Sequence, residues 1–186
     1  MTRQASTPVR SLHKMGLGTC LAGTLFGLVA LNPSVASISD RRERGRVLNE
    51  AWARFQTVGV LAMGLTVATW RRGGLKEAES DLDPTLAGIK NLLLGGALLT
   101  TVASAVAGMR IARQAPEEAP EGATPVESGT EPAPETPEEA ARSQRLSAFL
   151  GAATVVQVAG VLGLSTALEL CAVERSKGTL LSRLFG

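Results

Sequence analysis

"NLLLGGALLTTVASAVAGM", Asn91 to Met109, decides the fold. Its nineteen residues carry no charge. That is close to the about 20 residues a helix needs to cross the hydrocarbon core of a bilayer. A soluble helix of this length would show polar residues along one side at a 3.6-residue period. This run is apolar all round and rich in Gly, Ala, Ser and Thr, the residues that let helices approach one another in lipid. Three more windows lack charge: Met15 to Ser39, Phe55 to Trp70 and Leu146 to Leu168. The second is short, but it extends back through Ala51, Trp52 and Ala53 if Arg54 snorkels to the headgroups.

These windows predict an all-α integral membrane bundle of four transmembrane helices. A basic tail, 1–14, precedes them. The first three helices occupy about 15–39, 40–71 and 85–110 within 15–113, and the fourth lies in 139–173. Asp40 is a candidate cap for the second helix, and Asp83 with Pro84 for the start of the third. Gly73 and Gly74 stop the second, leaving a short polar link. Trp52 and Trp70 are eighteen residues apart, about 27 Å along a helix, and are expected at the two membrane interfaces. Residues 114–138, rich in Pro, Glu, Ala and Thr, show no apolar periodicity and are expected to be a disordered acidic loop. Residues 174–186 read as an amphipathic tail on the membrane surface, with Leu180, Leu181, Leu184 and Phe185 along one side.

The first window has a second reading. A basic start, an apolar run, Pro33, and Ser34 with Ala36 also outline a signal peptide cut after Ala36. Cleavage of residues 1–36 would leave three helices. The 25 charge-free residues from Met15 to Ser39 are long enough to span, with a kink at Pro33. Together with the other spans they favour a retained helix.

Rows of small residues mark candidate packing faces: Gly23 and Gly27 in the first helix, then Gly96, Thr100, Ser104 and Gly108 in the third. The fourth has Ala159, Gly163 and Ala167. Gln157 and Glu169 are the polar intramembrane candidates. Gln157 needs a partner, which Thr100, Thr101 or Ser104 can supply; Glu169, near a helix end, can pair with Arg175 or Lys177. Arg41 to Arg46 either meet lipid phosphates or pair locally with Glu43 and Glu50.

The remaining inventory excludes more than it suggests. The net charge of +2 and the scattered basic residues argue against a nucleic-acid partner. Cys20 and Cys171 have no metal-type spacing, and His13 is the sole histidine. No catalytic, cofactor or metal site is therefore expected. Cys20 and Cys171 are expected near one face, as packing residues more than as a redox pair; His13 is given no role. The composition, rich in Ala, Gly and Arg, suits a high-GC bacterial genome. The expected role is non-enzymatic: packing, assembly or support of a partner complex in the cell (inner) membrane. Membrane lipids and a homo-oligomer or another membrane protein are the expected partners. The alternative is a small oligomeric transporter or channel. Positive charge favours the cytoplasmic side. Ten Lys or Arg fall on the side of the termini and nine on the other. That count decides nothing, and the basic N-terminal tail places both termini in the cytoplasm.

Overall fold

A computed structural model describes the backbone of residues 6–185 and the side chains of residues 6–176. The described chain is helical, with no strand beyond an isolated bridge between Val126 and Pro132. Helix α1 (Thr7–Phe26) runs through a π turn (Gly27–Leu31) into the short α2 (Asn32–Ser34) and a 3₁₀ turn (Val35–Ser37). Helices α3 (Arg41–Arg72), α4 (Leu75–Leu82), α5 (Pro84–Ala112) and α6 (Glu138–Phe185) follow.

The boundaries have local causes. Pro33 cannot donate an amide, and its ring crowds the carbonyl four residues back. The widened π turn just before it, in which the Asn32 amide donates to the Gly27 carbonyl, lets the helix continue. Asp40 caps α3 by accepting from the amides of Arg42 and Glu43, at 2.8 and 2.9 Å. Those two donors hold its carboxyl below the usual carboxylate range. Asp83 caps α5 in the same way, with Pro84 at the first helical position. Gly74, at φ +73°, makes the left-handed turn between α3 and α4.

Three segments are long and apolar enough to cross a membrane: Thr7–Ser37, Pro84–Ala112 and Glu138–Ser176. Four were expected; α3, the second of them, is not among these three. Its first half is amphipathic, and Arg54 and Gln56 interrupt the apolar stretch. The supposed basic tail is helical from Thr7, and the link after α3 contains α4. The fourth helix is one 48-residue rod that absorbs residues 174–185; the side chains expected to make that tail amphipathic lie outside the described residues.

The acidic loop also departs from expectation. Residues 114–137 fold into turns that bury Ala123, Thr124, Val126 and Ala133. The Val126 amide donates to the Arg41 carbonyl (3.1 Å) and the Gly129 amide to the Asn32 carbonyl (2.9 Å). Asn49 donates to the Gly122 carbonyl at 2.6 Å, and Thr124 Oγ1 to that of Ile111 at 2.7 Å. Arg44 bonds the Glu127 carbonyl and carboxylate, and Arg41 pairs with Glu127 and Glu135. Small residues and polar fasteners hold the loop in place of an apolar face. Gly45 makes the fit: any Cβ there would overlap the Thr124 carbonyl. Gly45→Val is expected to release the loop and speed its cleavage by Glu-specific protease at least tenfold. Limited proteolysis of the purified protein checks this; an unchanged cleavage rate would count against the docking.

The helices are arranged so that α5 lies along α6 and α1 along α3, while α1 also touches α6. Helices α3 and α5 touch more sparsely than any of these three pairs. A buried apolar layer joins all four at mid-height: Leu17, Cys20, Ala62, Met63, Leu94, Ala97, Val158 and Val161.

Candidate functional site

The bundle carries chemistry at three levels, and the apolar layer separates the first from the third. The first level, near the chain termini, is ionic. Lys90 of α5 is fully buried, and its Nζ lies 2.6 Å from Glu79 Oε1 of α4. Glu79 Oε2 is buried without a partner. Buried charges persist only when paired, so α4 serves as the counter-ion carrier that lets a lysine sit inside the bundle. Next to it, α1 brings Lys14 to Glu169 of α6 at 2.6 Å, with Arg10 at 3.9 Å. Residues of α1 thus hold Glu169 where Arg175 was expected; the side chain of Lys177, the other expected partner, lies outside the described residues. Arg175 instead donates to the Asp81 carbonyl.

His13, given no role from the sequence, belongs to this level. It is 2 % exposed. Its Nδ1 lies 3.1 Å from the Thr66 carbonyl and 3.2 Å from Thr69 Oγ1. A carbonyl can only accept, so Nδ1 carries the proton and Nε2 presents a lone pair. Nε2 is buried without a partner. The sequence signal was present but faint: His13 falls on the same face of α1 as Gly16, Leu17 and Cys20.

The second level is the helix-packing seam. Gly23 of α1 and Gly27, at the start of the π turn, lie under the rings of Phe55 and Trp52. These glycines therefore seat aromatic side chains of α3, whose rings stand edge-on at 5.8 Å. On α5, Gly96 lets the Gln157 amide lie against the helix: a Cβ would fall 2.7 Å from Nε2. Thr100 donates to Gln157 Oε1 at 2.9 Å, and Thr154 to Thr100 Oγ1 at 2.7 Å. Gln157 thus meets Thr100, one of its expected partners, while Ser104 is left with a buried, unpartnered hydroxyl. On α6, Ala159 and Gly163 are exposed, and Gly163 has open space where a side chain would be. Ala167 is half-buried.

The third level is a cavity of about 520 Å³ on the loop side of the apolar layer. Here α3 and α5 part, and residues of the acidic loop, among them Glu121, Val126 and Gly129, border the space. Gly108 and Ser104 of α5 line it, along with Cys20, Asn49 and Gln144. The sequence points to none of this, because it requires two helices to diverge.

Both tryptophans lie on α3, with partners the sequence did not suggest. Trp52 Nε1 donates to Asn32 at 3.1 Å, and Trp70 Nε1 to Asn91 at 3.0 Å. Cys20 is buried and Cys171 exposed, both as free thiols. Of the arginine run, Arg46 pairs locally with Glu43 and Glu50, while Arg41 and Arg44 hold the loop. Among the described residues no group of three or more His, Cys, Asp or Glu is placed to hold a metal ion. No protein-family model matches the sequence, no curated protein is significantly similar to it, and no solved structure significantly resembles its fold.

Proposed function

We propose that the chain is a non-enzymatic, multi-pass protein of the cell (inner) membrane that works by assembly, either with copies of itself or as an accessory to another membrane protein. The observation that carries this reading is how the polar groups inside the bundle are used. Lys90 with Glu79, Lys14 with Glu169, and Gln157 with Thr100 and Thr154 bind one another. They act as glue between helices. What remains outside on α6 is a close-approach face, Ala159 and Gly163, with nothing against Gly163.

In this reading α3 is the fourth span. The levels of Trp52 and Trp70, about 27 Å apart, mark the edges of the hydrocarbon, and Arg41 to Arg54 lie at or beyond one edge. Helix α1 belongs to the working protein, since Lys14, His13 and Gly23 all hold later helices. Both termini are then cytoplasmic.

Bis-maleimide cross-linking in native membranes tests the proposal, with Gly163→Cys placed in a Cys20→Ala, Cys171→Ser background. A discrete adduct at twice the mass, or at the mass of one added subunit, is expected. Monomer alone at every expression level overturns the assembly role.

The alternative, a small transporter, is favoured by one observation: the loop-side cavity reaches Ser104 and Thr154 inside the bundle. The apolar layer of Leu17, Met63, Leu94 and Val158 closes the way beyond.

A further inference from the structure

The cavity has the depth of one leaflet and the width of a single hydrocarbon chain. Along α5 it runs from Arg113 at the mouth to Thr101 at the floor, twelve residues and about 18 Å at 1.5 Å per residue. Half of a bilayer's hydrocarbon core is about 15 Å. The mouth therefore falls at the headgroups on the loop side, and the floor lies against the apolar layer. Spread over that length, the volume of about 520 Å³ gives a mean section of about 29 Å². A helix about 10 Å across needs nearly three times as much. A partner's transmembrane helix does not fit; one extended acyl chain does.

The walls suit such a chain. They are mostly apolar, with Leu28, Phe55, Ala105 and Gly108 below the mouth. Toward the floor the side-chain donors are already used: Cys20 on the Gly59 carbonyl, Thr101 on that of Ala97, and Thr154 on Leu150 or Thr100. Ala53 of α3 and Met109 of α5 are exposed and border the space, which opens it to the surrounding lipid between the two helices. At the mouth stand two exposed charges of opposite sign, Arg113 at the end of α5 and Glu121 of the loop. Neither makes an ion pair or a side-chain hydrogen bond with the other or with any described residue. Arg113 presents a planar fork of N–H donors suited to a phosphate, and Glu121 can accept from an ammonium.

We infer that the cavity between α3 and α5 holds one acyl chain of a zwitterionic aminophospholipid, the chemistry of phosphatidylethanolamine. The phosphate pairs with Arg113 and the primary ammonium with Glu121. One chain lies in the cavity, and the other stays in the bilayer beside Ala53 and Met109. A choline head fills the same space but has no N–H to donate to Glu121. A glycerol head leaves the lipid anionic, with Glu121 repelling it. The inference rests on the membrane placement of α3 given above and goes beyond the assembly role.

The full chain in mild detergent is titrated with three lipids that share palmitoyl and oleoyl chains and differ only in the head: phosphatidylethanolamine, phosphatidylcholine and phosphatidylglycerol. Native mass spectrometry counts the adducts on each oligomeric state, so lipid binding and assembly are read separately. One saturable phosphatidylethanolamine per chain is expected. Ion pairs at an exposed rim are individually weak, so its preference over the other two should be about fivefold. Glu121→Gln, at an exposed position that leaves the fold undisturbed, should erase the preference over phosphatidylglycerol. Gly108→Leu fills the cavity, since a Cβ there meets nothing within 4 Å. It should weaken all three lipids at least tenfold with the helical content unchanged. Adducts that are multiple, non-saturating and indifferent to Gly108→Leu overturn the site as annular lipid. Phosphatidylcholine or phosphatidylglycerol bound as tightly as phosphatidylethanolamine, or a preference that survives Glu121→Gln, overturns the headgroup assignment.

Discussion

Lys90→Met on its own is expected to destabilise the bundle by about 3–5 kcal/mol, the usual cost of removing one member of a buried ion pair. The two side chains are 0 % and 4 % exposed, so neither water nor lipid headgroups replace the lost partner. Glu79 would be left in an apolar setting with one oxygen already unpartnered. Most of the loss arises from the stranded carboxylate, and only part from the missing attraction. Adding Glu79→Leu should therefore recover most of the stability, because a well-packed apolar pair is often neutral or better. Denaturation followed by far-UV circular dichroism in detergent separates the three proteins. A double variant as unstable as Lys90→Met would mean that the pair matters for its geometry, holding α4 against α5, and that the charge argument is wrong.

The second large effect is at Gly16. An added Cβ would sit 2.6 Å from the Ala62 carbonyl and overlap Thr66 Oγ1. The Ala62 carbonyl is backbone and cannot turn away, so α1 and α3 must separate. Overpacking of this kind costs about 1–3 kcal/mol, and the movement would also strain the His13 bond to the Thr66 carbonyl. Gly18, two residues on, has open space around it. Gly18→Ala should be neutral or stabilising by up to about 1 kcal/mol, the difference in helix propensity. The contrast between the two substitutions is the test. Equal effects would show that helix propensity, and not the α1–α3 contact, governs both.

The apolar windows placed the long helices, and the capping residues Asp40 and Asp83 marked two of their starts, because both signals are local in the chain. Gln157 with Thr100 was also legible, since an amide within an apolar run has to find a hydroxyl. The Pro- and Glu-rich segment was misread for a physical reason. Its own composition offers no apolar face, but Arg41, Arg44, Asn49 and Asn32 supply donors and acceptors from outside it. Glu169 was paired with basic residues near it in sequence, when its partner comes from α1, 155 positions away.

By itself, then, the sequence determined that the chain is helical, where its long apolar helices lie and which residues could bond within the bundle, since periodicity, charge-free length and capping act over a few residues. The tertiary structure alone decided that His13 and Lys90 are buried, that Gly16 sits against the α3 backbone with no room for a side chain, and that α3 and α5 part to leave a cavity. Each of these depends on which helices become neighbours and at what height. That choice is made by packing between segments far apart in the chain, and no local signal records it.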